Sequence, residues 1–105
     1  MIIYISGPMS GYVESNFPAF EVAAKRLRQQ GFTVISPHEI EPKENTWAAC
    51  MRSDIKQLMD AESVAVLQGW EKSKGAGIEV GLAIKLGMQI MDAETLQPVK
   101  IPYDL

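Results

Sequence analysis

At 105 residues, with 47% hydrophobic and 22% charged side chains, the chain has the balance of a folded globular protein and excludes a disordered one. A net charge of −3 without any Lys/Arg cluster excludes a duplex DNA or RNA groove as the main partner, because neutralising phosphates takes grouped cations. Cys50 is the single cysteine, so no intrachain disulfide forms. Because the start lacks a basic leader and no apolar run is long enough to span a membrane, the expectation is one cytoplasmic domain over residues 1–105.

Residues 2–6 read as a buried strand, stopped by Gly7-Pro8-Met9-Ser10-Gly11. Asn16-Phe17-Pro18 supplies a helix start, a polar cap followed by proline in the first turn. That helix carries Phe20, Ala23, Ala24 and Leu27 at i, i+3, i+4 and i+7, and Gly31 sits where a C-terminal cap belongs. Residues 32–35 form a second strand, and a polar loop through Pro42 and Asn45 leads to Thr46, a candidate N-cap. The next helix sets Trp47, Met51, Ile55 and Leu58 on one face, with Trp47 expected to cover core. Residues 64–67 make a third strand, a helix runs from Gly75-Ala76 to about Leu86, Gly87 ends it, and residues 88–91 make a fourth strand. Val99-Lys100-Ile101 offers a further edge strand.

Strand alternates with helix throughout, which predicts an α/β three-layer sandwich with a four- to five-stranded parallel sheet, flavodoxin-like or Rossmann-like. Ligands of such sheets bind beyond the carboxyl ends of the strands. The loops over residues 6–15 and 68–75 fall there, and both run into helix starts. No zinc spacing, P-loop or Ser-His-Asp set is present, so neither metal nor organic cofactor is expected. His38 reads as a surface histidine and Cys50 as a packing residue.

Two carboxylates stand on apolar faces. Glu79 continues a stripe with Leu82, Ala83 and Leu86 and lies one turn into its helix, where the dipole favours the ionised form. Either it is a helix-start glutamate stabilised by that dipole or it is held in a pocket at the sheet edge. Asp54 borders the stripe of Met51, Ile55 and Leu58, and is equally readable as a margin residue paired with Arg52 or Lys56. Together the two carboxylates suit glycosidic-bond chemistry, in which one group attacks or stabilises the sugar carbon and the other handles the leaving group.

Tyr4-Ile5-Ser6-Gly7-Pro8-Met9-Ser10-Gly11, Asn16-Phe17-Pro18-Ala19-Phe20, Met51-Arg52-Ser53-Asp54-Ile55 and Gly69 through Glu79 together resemble the nucleoside 2-deoxyribosyltransferase-like superfamily. Within it they resemble a small branch of unknown function common in phages and bacteria. The resemblance implies Glu79 as the nucleophile that forms a glycosyl-enzyme, Asp54 as the aspartate at the departing base, and Tyr4 as the hydroxyl that hydrogen-bonds the nucleophile. A half-buried strand tyrosine is the alternative for Tyr4. Ser73 stands six before the glutamate, where the transferases often carry aspartate and deoxynucleoside monophosphate N-glycosidases carry a phosphate-holding serine.

Substrate contacts are expected from Ser6, Gly7, Met9, Ser10, Gly11, Gly69, Trp70, Ser73, Gly75 and Ala76. The first loop cradles an anion or merely turns the chain, and Trp70 stacks on a base or only anchors its loop. The expected activity is that of an N-glycosidic-bond enzyme on a nucleoside or deoxynucleoside monophosphate. A nucleotide-binding module without turnover is the rival. The lysine-decarboxylase-like phosphoribohydrolases rank lower, since their longer glycine run and paired arginine are not visible here. A homodimer or larger is expected, because Ala76, Ile78, Val80, Leu82, Ala83, Ile84 and Leu86 leave their helix apolar nearly all round, with Trp47, Met51 and Met59 extending the patch.

Overall fold

The computed structural model describes residues 1–101, and four parallel strands organise them: β1 (Ile2–Ser6), β2 (Thr33–Ile35), β3 (Ser63–Val66) and β4 (Gln89–Asp92), in the order β2-β1-β3-β4. Three helices return the chain between them: α1 (Phe17–Gln29), α2 (Trp47–Leu58) and α3 (Lys74–Lys85). The expected α/β sandwich is therefore the one observed. Its layers follow from side-chain alternation along the strands. Ile3, Ile5, Ala65 and Leu67 pack on one face against Phe20, Ala23, Ala24 and Leu27 of α1. Tyr4, Val64 and Val66 point to the other face, against Leu58 of α2 and Ala76, Val80 and Ala83 of α3. From β1 the chain turns to β2 on one side and later returns to β3 on the other, so the topological switch lies between β1 and β3, where a crevice opens above the carboxyl ends.

Both glycines read as helix stops act as expected. Gly31 and Gly87 have φ of +94° and +79°, a conformation costly for other residues, and each follows a C-cap. The Phe32 amide donates to the Leu27 carbonyl at 3.2 Å and the Met88 amide to the Ala83 carbonyl at 2.9 Å, which satisfies the last turn and aims the chain into the next strand. Thr46 caps α2 by accepting from the Ala49 amide at 3.1 Å.

Four expectations need correction. Asn16 begins α1 but does not cap it. With Glu14 and Ser15 it takes left-handed backbone angles, and its amide donates instead to the Pro8 carbonyl at 2.8 Å, tying the first loop back on itself. Residues 99–101 form no fifth strand: the tail meets β4 only at an isolated antiparallel bridge between Met91 and Pro98, held by the Asp92 amide on the Gln97 carbonyl at 2.9 Å and the Val99 amide on the Ile90 carbonyl at 3.1 Å. His38 is not a surface residue. Its side chain is 12% exposed, its ring meets Phe17 and Phe20, and Nδ1 bonds the buried Ser36 hydroxyl. Nor is α3 bare all round. Ala76, Val80 and Ala83 are buried, and Leu82 and Ile84 are partly buried against the core on that face of the sheet, leaving Ile78 and Leu86 exposed. Of the residues expected to extend that patch, Met51 is buried and Met59 alone remains outside; Trp47 belongs to the cleft described next.

Candidate active site

Alternation on the central strand decides the site. Tyr4 and Ser6, two residues apart, point to the α3 face and are fully buried. Glu79 descends onto them from α3, in the same helical row as Ala76 and Ala83, and only 4% of it is exposed. The Tyr4 hydroxyl donates to Oε2 and the Ser6 hydroxyl to Oε1, both at 2.7 Å. Two hydroxyl donors, one on each oxygen, are what an ionised carboxylate takes up in a buried setting. Burial pushes the Glu79 carboxyl upward, and the bonds from Tyr4 and Ser6 oppose it. Burial first, and the adjoining Glu79 charge second, push the Tyr4 phenol far upward, so it remains a donor at any working pH.

Glu79 forms part of the wall of a cleft of about 570 Å³, within the range of small-molecule sites. Asp54 lines the same cleft from α2. It forms no ion pair with Arg52 or Lys56 among the described residues. Its carboxyl is raised to about 7, by burial first and by the charge of Glu79 second, so both protonation states are accessible near neutrality. The remaining wall comes from the two loops at the switch point, from the segment after β2 through Pro37, Ile40, Pro42 and Asn45, and from the starts of α1 and α2. Gly7, Met9 and Ser10 follow β1, and Gly69, Ser73, Gly75 and Ala76 follow β3. Gly7 allows those strand ends to approach: a Cβ there would lie 2.8 Å from Cβ of Leu67.

Several expected contacts fall elsewhere. Ser6 does not line the cleft; its hydroxyl is spent on Glu79. Gly11 is exposed in the first loop, outside the lining. Trp70 is 4% exposed, belongs to the same core cluster as Tyr4, and is not among the residues that line the cleft. Ser73 lines the cleft and is also the N-cap of α3, accepting from the Ala76 amide at 3.2 Å.

One wall of the cleft is aromatic, which the sequence reading does not include. Trp47 is 45% exposed at the cleft, with the Lys74 ammonium 4.5 Å from its ring centroid, and Tyr12 and Phe17 line the cleft too. The signal was available for Trp47: it lies seven residues, two turns, before Asp54, and so above it on the same face. Cys50, read as packing, is half-buried on this wall.

The parallel sheet in the order 2-1-3-4 has the fold of two solved 2-deoxyribosyltransferases. The solved structure of the 2-deoxyribosyltransferase from the psychrotolerant bacterium Bacillus psychrosaccharolyticus superposes with a TM-score of 0.68 at 22% identity, over 87% of this chain and 70% of that one. The 2-deoxyribosyltransferase from Leishmania mexicana gives 0.68 at 15% identity, over 87% of this chain and 62% of that one, less than two thirds of its length. By its sequence the chain belongs to the DUF4406 family, a domain of unknown function whose model matches residues 1–92. No curated protein matches it.

Proposed function

We propose that the protein cleaves the N-glycosidic bond of a small nucleoside or nucleotide, with Glu79 as nucleophile. The observation that carries this reading is the carboxylate pair: Glu79 held on both oxygens at the cleft wall, and Asp54, with a carboxyl that titrates near neutrality, on the same wall. A Glu79 oxygen bonds to the anomeric carbon as the C–N bond breaks. The base leaves with the bonding electrons and takes its proton from Asp54. Water then attacks the same carbon and gives its proton to Asp54, while the C–O bond breaks and its electrons return to Glu79. An acceptor base in place of water would make the reaction a transfer. The fold shared with two 2-deoxyribosyltransferases supports the same reading. Incubation with a panel of deoxynucleosides and their monophosphates, followed by chromatography for free base, tests it. Absence of free base across the panel would leave a binding module.

A phosphorylated substrate is the better fit. Lys72, Ser73 and Lys74 line the cleft beside the start of α3, where the helix dipole and free amides favour an anion. A monophosphate is expected to outperform its nucleoside by about 1–3 kcal/mol, roughly ten- to a hundredfold in kcat/KM. Equal kcat/KM for the two would point to unphosphorylated nucleosides. The assembly belongs to the same reading: Ile78 and Leu86 remain exposed on α3, and a second copy is expected to cover them. Light scattering at micromolar concentration should report at least a dimer, and a monomer of 11.6 kDa would remove that contact.

A further inference from the structure

The Ser6 hydroxyl is fully buried on the central strand, and its one side-chain hydrogen bond goes to Oε1 of Glu79 at 2.7 Å. Its backbone is equally tied down, the Ser6 carbonyl accepting from the Leu67 amide at 2.9 Å and Cα pairing in register with Val66. Tyr4 already positions Glu79 through Oε2, so a second donor is not needed to orient the carboxylate.

Its effect is on charge. A hydroxyl bonds a carboxylate about twice as strongly as it bonds a neutral oxygen. The bond from Ser6 is therefore strong when Glu79 is free and weak while Glu79 is esterified to a sugar. Resting on the glycosidase reading above, we propose that Ser6 is a positioning residue for the second half-reaction. It holds Oε1 as the C–O bond between Glu79 and the sugar breaks, and so makes Glu79 a better leaving group. The electrons of that bond return to the carboxylate, the water proton goes to Asp54, and Ser6 keeps its own proton throughout. The same bond makes free Glu79 a milder nucleophile, so it favours release of the sugar over accumulation of the glycosyl-enzyme.

Two measurements on Ser6→Ala and Ser6→Thr test this. The first is a titration of Glu79 followed by NMR of carboxyl-labelled glutamate. The midpoint is expected to move upward in Ser6→Ala and to return towards wild type in Ser6→Thr, which keeps the hydroxyl. The second is base release from a deoxynucleoside monophosphate on the millisecond scale. In Ser6→Ala a burst of about one base per site should precede a steady rate lowered about ten- to a hundredfold, the equivalent of one hydrogen bond to a charged group. If Ser6→Ala does not fold, Ser6→Cys replaces it, since its thiol is a poor donor of similar size. An unchanged Glu79 midpoint, or a steady rate that falls without a burst, overturns the proposal. A shifted midpoint in a protein whose wild type releases no base overturns the glycosidase reading and the half-reaction with it, and keeps for Ser6 only the tuning of Glu79.

Discussion

Glu79→Ala is expected to lower base release by about a thousandfold or more while the protein stays folded, the loss typical when a covalent nucleophile is removed. The fold should tolerate it for a physical reason. Alanine is a strong helix former, and the substitution takes a desolvated carboxylate out of a buried site. It also leaves the Tyr4 and Ser6 hydroxyls without an acceptor, a cost of about 1–3 kcal/mol each unless water from the adjoining cleft replaces the carboxylate. Circular dichroism and a thermal melt check the fold; chromatography of free base checks the activity. A Glu79→Ala protein that keeps most of its base release would rule out covalent catalysis through this residue.

Asp54→Asn should separate stability from turnover as pH changes. The folded Asp54 carboxyl titrates at about 7 against an ordinary value of 3.8, so the folded protein holds this proton more tightly than the unfolded chain. The resulting stabilisation is complete below pH 4 and is lost as pH rises through 7. At pH 8 the wild type carries a partly buried charge near Glu79 that asparagine lacks. Asp54→Asn should then be the more stable protein by on the order of 1–2 kcal/mol, solvent screening at the cleft reducing the full linkage. At pH 4 the difference should vanish. Turnover should move the other way. If Asp54 protonates the departing base, the wild-type rate falls above pH 7, while Asp54→Asn is slower at every pH and lacks that limb. Urea denaturation at both pH values gives the first result and kcat against pH the second. Equal stability at pH 8 together with unchanged turnover would return Asp54 to a margin residue without a role.

Much of the fold was legible in local sequence because local physics decides it. The stripe of Phe20, Ala23, Ala24 and Leu27, the Thr46 cap, and the stops at Gly31 and Gly87 depend on residues within one or two turns, and all are found where the periodicity put them. Glu79 and Asp54 were visible too, as charges that broke an apolar pattern. The errors share a different origin. Residue type alone suggests Asn16 as a cap, yet its partner is the Pro8 carbonyl, eight residues back across a turn. Trp47, expected in the core, forms cleft wall, and Trp70, readable either as a base-stacking or as a loop-anchoring residue, lies in the core, because an aromatic side chain fits either environment. His38 looked exposed in a polar loop until Phe17, Phe20 and Ser36 enclosed it.

The element types and their order, and hence a parallel sheet with a switch point, follow from local sequence, since propensity, periodicity and the right-handed crossover leave few alternatives. Local sequence also singles out the two carboxylates. What surrounds them is set by long-range packing. The side-chain bonds to Glu79 span 75 residues from Tyr4 and 73 from Ser6, and Asp54 reaches the same cleft on a different helix. Whether a serine at a strand end touches a ligand or a carboxylate depends on the register of β1 against β3 and on the height at which α3 crosses the sheet. Both are set by packing of the whole core, which no short stretch of sequence encodes.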